Sequence, residues 1–266
     1  MSVRQPAVQG LFYPNSKALL EKQLSKAIPE SKTEGKAIAC VSAHAGLVYS
    51  GEIAGKSINS LKKTQNYIIL CPNHTGLGEK ISITDSTEWQ TMLGTVTVNT
   101  EIAKRLTELL PEAKFDEKAH LQEHSAEMQL ILLQKKFRHD FKIVVVCIAE
   151  QDLQTLKRMG EALIELHKQH DFCIIASSDF THFESEESAG KKDKEAIEQM
   201  LGNRVEGFYD LVFENDLSIC GYSGITAMLE FCKEKKLKGK LLEYSSSARA
   251  TKDKSNVVGY ASIVWE

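Results

Sequence analysis

The 266-residue sequence contains no long hydrophobic run. Its longest uninterrupted apolar stretch, residues 143–149, spans seven residues, against the roughly 20 that a bilayer-crossing helix needs. The N-terminus also lacks a signal-peptide core, so a cytoplasmic chain without membrane attachment is expected. Charge of one sign is missing too: 33 basic and 36 acidic groups leave a net charge of -3. No basic block offers a track for a phosphate backbone, which argues against a nucleic-acid partner. The six cysteines, Cys40, Cys71, Cys147, Cys173, Cys220 and Cys232, are widely scattered. They indicate neither a disulfide framework nor, without CxxC, a zinc ribbon. HExxH, a GxGxxG following a strand and the Walker P-loop are all absent, so no nucleotide cofactor and no metalloprotease chemistry are expected. With no Pro/Gly-rich linker, compositional break or internal repeat, residues 1–266 read as one domain. Any site must be assembled from distant segments.

The composition, 42% apolar and 26% charged, is that of a globular chain with enough material for a sizeable core. Short apolar runs at 37–41, 67–71, 143–148 and 172–176 have the length and flanks of buried strands. Helical periodicity marks 16–27, 101–110, 120–137, 153–168, 194–201, 205–214 and 224–235, with Ser16 and Thr100 as N-terminal caps. Residues 240–244 and 257–264 read as final strands, and 183–194 and 245–256 as charged or polar loops. Within 80–98, the β-like pieces 81–83 and 95–98 suggest a hairpin beside the main sheet. Strands alternating with helices give an α/β fold: a single-domain αβα sandwich with a central, mainly parallel or mixed sheet.

Three of the strands run into polar motifs. The first leads to Ser42-Ala43-His44-Ala45-Gly46, the second to Pro72-Asn73-His74-Thr75-Gly76, and the fourth to Ser177-Ser178-Asp179-Phe180-Thr181-His182. Ligands of open α/β sheets bind beyond the C-terminal strand ends, so these motifs point to a shared pocket. Imidazoles converging there, His44 and His74 first, suit Fe, Zn or Cu. Candidates for a further ligand are Asp179, His182, Glu123 or His124, and Cys220. Cys220 stands just before a helical pattern, where free helix N–H groups and a cation would stabilise a thiolate. In Glu123-His124-Ser125-Ala126-Glu127, the two glutamates fall on one helical face, and an acidic group there could orient a metal histidine through its second ring nitrogen.

The pattern resembles the Memo family, also labelled AmmeMemoRadiSam system protein B. The resemblance rests on Arg4-Gln5-Pro6-Ala7-Val8, Phe12-Tyr13-Pro14, Ala43-His44-Ala45-Gly46 with Tyr49-Ser50-Gly51, and Pro72-Asn73-His74. It continues through Glu123-His124-Ser125 with Glu127, Ser177 to His182, Ile219-Cys220-Gly221 and Val258-Gly259-Tyr260-Ala261. These blocks cover nearly the whole chain in order. That family is similar in fold to the class III extradiol, LigB-like dioxygenases, which carry non-haem iron in a cleft. The resemblance implies His44, His74 and Cys220 as metal ligands, His182 in the general-base position, and Asp179 and His124 lining the pocket as catalytic groups. The position of the dioxygenase carboxylate ligand is occupied by Cys220, and a thiolate widens the metals from Fe(II) to Cu and Zn. Two functions follow as expectations: a metal-dependent redox enzyme or oxygenase acting on a small molecule, or a non-enzymatic metal-handling or protein- or peptide-binding module reusing the cleft. The resemblance further implies protein partners, namely the A protein of the same system and radical SAM proteins, and a monomer or small homo-oligomer.

Overall fold

The computed structural model describes residues 2–29, 34–138 and 140–266. The chain begins with β1 (Val3–Arg4), α1 (Lys17–Ala27), β2 (Ala39–Ser42), α2 (Leu47–Ser60) and β3 (Asn66–Pro72). Next come β4 (Ile81–Ile83), β5 (Glu88–Thr91), β6 (Gly94–Thr97), α3 (Thr100–Leu109), β7 (Lys114–Phe115), α4 (Ser125–Phe137) and β8 (Lys142–Ile148). It continues with α5 (Leu153–His167), β9 (Cys173–Ser177), β10 (His182–Glu184), α6 (Glu186–Leu201), α7 (Val205–Glu214) and α8 (Tyr222–Glu234). It closes with β11 (Gly239–Ser246), α9 (Ala248–Thr251) and β12 (Val257–Trp265). No described helix is long and apolar enough to cross a membrane.

The main sheet runs β10-β12-β2-β9-β3-β8-β4-β7, with β11 also paired to β12. Its centre, β2-β9-β3-β8, is parallel, while β12 and β4 join antiparallel on either side. The sheet is therefore mixed around a parallel heart, an α/β arrangement of the expected kind. The continuous apolar runs follow from burial on both faces. Ile68 and Leu70 of β3 belong to the core that holds buried residues of α3, α5, α6, α7 and α8, whereas Tyr67, Ile69 and Cys71 belong to the core that holds those of α1, α2 and α4. Alternate residues thus feed two cores, and helices cover both faces.

Several expectations need correction. The 80–98 segment is divided: β4 belongs to the main sheet, pairing antiparallel with β8, while β5 and β6 form a hairpin with β1 in a separate three-stranded sheet. The charged stretch 183–194 is largely helical, because α6 starts at Glu186 with the Ser185 hydroxyl accepting from Ser188 N–H at 3.2 Å. Its buried stripe includes Asp193, a polar residue that hides the periodicity. The 245–256 stretch holds the short helix α9. Helix α2 escapes the pattern search because Gly51, Gly55, Ser50 and Ser57 dilute its apolar face. Gly55 is needed where α1 crosses, since a Cβ there would stand 2.0 Å from the Ala27 carbonyl oxygen. The cap of α3 is Asn99, whose side chain accepts from Ile102 N–H, not Thr100. Finally, α4 begins at Ser125, so Glu123 precedes the helix and does not share a helical face with Glu127.

The N-terminal segment is held by one buried ion pair. Arg4, fully buried, pairs with Glu127 of α4, donates to the carbonyls of His120 and Glu123 at 3.1 and 2.6 Å, and lies 4.3 Å over the Trp89 ring. Glu127 also accepts from Ala7 N–H at 2.7 Å, Val8 N–H at 3.3 Å and the Tyr13 hydroxyl at 2.7 Å. Removing one partner strands a buried charge. Arg4→Met should therefore lower the unfolding free energy by about 3–5 kcal/mol in urea titration; a loss below about 1 kcal/mol would show that the remaining donors suffice.

Candidate metal centre

Strands β2, β9 and β3 are immediate neighbours and parallel, so their C-terminal ends open on one sheet edge. His44 follows β2, Asp179 follows β9 and His74 follows β3. The loop entering α4 adds Glu123 and His124, and the turn before α8 adds Cys220. Gly221 allows that turn to press on β9, since a Cβ there would lie 2.3 Å from the Ser177 carbonyl oxygen.

Three imidazoles meet at this edge. Ring centroids lie 5.2 Å apart for His44 and His74, 5.3 Å for His44 and His124, and 4.6 Å for His74 and His124. One ligand atom from each falls within 4.8 Å of the other two, close enough to share a metal ion. Phe12 backs His124 at 4.5 Å between centroids. The Nδ1 atoms face protein partners. His44 Nδ1 meets Ser177 Oγ at 3.0 Å, His74 Nδ1 meets Glu123 Oε1 at 2.9 Å, and His124 Nδ1 lies 3.4 Å from the same carboxylate oxygen. Such outer contacts orient imidazoles so that the other nitrogen can bind a metal.

The ligand set differs from the His44/His74/Cys220 set expected. Among the described residues the cluster is His44, His74 and His124, and Cys220 is not in it. Cys220 Sγ instead touches the cluster at one point, 3.3 Å from His44 Nε2, and accepts from Asp179 N–H at 3.3 Å. His124, a candidate ligand from its motif but a pocket-lining residue by the resemblance, stands among the possible ligands because α4 starts late and leaves it at the cap position, its ring beside that of His44. Asp179 is buried, and its Oδ1 accepts from His44 N–H at 2.8 Å, so it holds the His44 loop. His182 lies on β10 with Nδ1 2.8 Å from the Ser218 carbonyl, which can only accept, leaving Nε2 without a hydrogen when the ring is neutral. Of the two glutamates, Glu123 braces the site and Glu127 braces the N-terminal segment.

Sequence reasoning gave no role to Phe12, Ser177 or Gln129. The last is fully buried within the apolar run of α4, and a lone amide in such a run was the available signal.

Burial governs the protonation of the cluster. It lowers His44 well below the usual imidazole range, helped by the neighbouring rings of His124 and His74, and lowers His124 to about 4. Glu123 is drawn well below the ordinary carboxylate value: burial opposes this, and is outweighed by its bonds to His74 and Ser125. Burial pushes Asp179 up to about 6 and the Cys220 thiol well above its usual range. His44 and His124 are therefore neutral imidazoles with lone pairs available, beside a protonated thiol.

An α/β sandwich with a histidine cluster at the C-terminal edge of parallel strands defines the class: a candidate metalloprotein of the open-sheet type. The Memo-like protein family model matches residues 4–264, and the chain belongs to that family. It is 40% identical over 272 residues to a MEMO1 family protein of Methanosarcina mazei, covering 100% of both chains. It is 36% identical over 271 residues to a MEMO1 family protein of Nitrosopumilus maritimus, covering 98% of each. Its fold is similar to the crystal structure of an uncharacterized protein, JW3007, from Escherichia coli K12, with a TM-score of 0.56 and 14% identity over 86% of this chain and 100% of the other.

Lowered imidazole pKa values make stability depend on pH with a definite sign. Between about pH 6.5 and 4 the unfolded chain protonates His44, His124 and the buried His120, itself held down to about 4, while the folded chain does not. Stability from these groups is present above pH 6.5 and lost as pH falls. Asp179 acts oppositely below its folded value of about 6, offsetting part of the loss. Metal-free protein should lose about 2–4 kcal/mol of unfolding free energy between pH 7 and 5, read from urea midpoints. A flat or rising profile would contradict the assignment of His44, His120 and His124 as neutral in the folded chain.

Proposed function

We propose that this chain binds a transition metal at His44, His74 and His124, with Cys220 as an additional ligand, and that the centre serves metal-dependent redox chemistry on a small molecule. The observation that carries this reading is the convergence of three imidazole ligand atoms within 4.8 Å, with the Nδ1 sides turned to protein partners. Imidazoles suit Fe, Cu and Zn, whereas Mg and Ca select oxygen. A thiolate and an imidazole sharing one metal at ordinary bond lengths stand about 3.5 Å apart, close to the Cys220–His44 separation of 3.3 Å. Fe(II) is the metal that the resemblance to LigB-like dioxygenases favours; when bound it would supply redox capacity and Lewis acidity.

The chain's own residues would do the rest. His74 and His124 are held by Glu123, His44 by Ser177 and, through its backbone, by Asp179. His182, its Nδ1 directed at Ser218, offers a bare Nε2 as proton acceptor for a substrate hydroxyl at the cleft. The Cys220 thiol favours a second reading, metal handling without catalysis, because sulfur strengthens the site toward Cu and Zn.

Elemental mass spectrometry of protein purified anaerobically tests the site. The parent should carry about one metal per chain, and His44→Ala, His74→Ala and His124→Ala should each lose at least about tenfold in affinity. Iron with metal-dependent O₂ uptake would support the redox reading, and Cu or Zn without turnover the handling reading. No metal after reconstitution, or full occupancy in all three variants, would overturn the site.

A further inference from the structure

The hydrogen bonds behind His44 define more than its position. Ser177 Oγ has three neighbours: the Ser125 carbonyl at 2.9 Å, Gln129 Nε2 at 2.8 Å and His44 Nδ1 at 3.0 Å. A hydroxyl has one hydrogen and two lone pairs. The Ser125 carbonyl can only accept, so the Ser177 hydrogen goes there. Gln129 presents its nitrogen end to Ser177, because the same nitrogen faces the carbonyls of Ser42 at 3.2 Å and Ala43 at 2.9 Å. It therefore donates into one Ser177 lone pair. The lone pair that remains can only accept, so His44 Nδ1 must carry a hydrogen and its Nε2 must be bare.

The opposite side of the ring agrees. Cys220 Sγ receives Asp179 N–H and lies 3.3 Å from His44 Nε2, where a thiol hydrogen is satisfied by a bare nitrogen. Gln129 is fully buried, and its Oε1 has no hydrogen-bond partner. An apolar side chain would avoid that unsatisfied oxygen, so the amide is kept for what its nitrogen does. That nitrogen joins the end of β2, which carries His44, to the end of β9, which carries Ser177.

We infer that Gln129 and Ser177 form a hydrogen-bond relay that locks His44 in its Nδ1–H tautomer and presents the Nε2 lone pair to the histidine cluster. Both are positioning residues that act through His44. The consequence for metal affinity rests on the proposed metal site; the tautomer does not.

Long-range ¹⁵N–¹H correlation spectra of the metal-free, full-length protein at pH 7.5 read the tautomer directly. His44 should show Nδ1 protonated and Nε2 bare, and a wild-type spectrum with Nε2 protonated would overturn the relay without need of any variant. Ser177→Ala and Gln129→Met should move His44 toward the Nε2–H form while His74, held by Glu123, keeps its tautomer. Zn²⁺ affinity should fall about 10–100-fold in both, and Ser177→Thr, which retains the hydroxyl, should restore tautomer and affinity together. An unchanged His44 tautomer in folded Ser177→Ala would also overturn the relay. If the tautomer shifts as expected but wild-type protein takes up no Zn²⁺, the relay stands and the metal-site reading fails.

Discussion

The structure depends on one constraint: three adjacent parallel strands, buried on both faces, must end at the same edge. The apolar side chains of β2, β9 and β3 alternate between two close-packed cores, so each is committed to packing on one face or the other. Their chemistry is therefore carried by the residues that follow the strands, where backbone leaves the sheet and side chains are free to differ. His44, Asp179 and His74 meet because parallel pairing leaves their loops no other edge. The elements from elsewhere are pressed in by specific devices, Gly221 for the Cys220 turn and the Arg4–Glu127 pair for the wall that bears Phe12.

The second layer of organisation is electrostatic. Burying several imidazoles side by side disfavours their protonation, both by desolvation and by mutual repulsion of the charged forms. The result is a concentration of neutral nitrogen lone pairs with Glu123 as the adjoining negative charge. Such an arrangement is poorly suited to holding protons and well suited to holding a cation. The N-terminal ion pair and the cluster meet through Arg4, which donates to the Glu123 carbonyl while its partner Glu127 is only four residues further along.

Much of this was legible in the sequence, for identifiable reasons. The strands behind the site were readable because burial on both faces leaves uninterrupted apolar runs, and their boundaries agree closely, as with 143–148 against Lys142–Ile148. His44 and His74 stood out because polar residues abruptly end those runs. What the sequence concealed were roles decided by three-dimensional direction. Periodicity extended α4 back to residue 120, which put Glu123 and Glu127 on one face. The chain instead turns at His124, sending Glu123 to the histidines and Glu127 to Arg4. The partners of Gln129 were hidden for a different reason: an amide within an apolar run marks the position, but only the coordinates show that it faces the Ser42 and Ala43 carbonyls and the Ser177 hydroxyl. The metal set expected by resemblance included Cys220, which lies beside His44 but outside the cluster, and gave His124 a lining role where the geometry makes it a possible ligand.

The central claim is that imidazoles from three separate segments converge on one cation. X-ray absorption at the K-edge of the metal, on wild-type protein loaded under anaerobic conditions, observes those ligands directly. The account predicts the multiple-scattering signature of three imidazoles together with one sulfur, the sulfur alone disappearing in Cys220→Ser. A coordination shell of oxygen without imidazole scattering would contradict it.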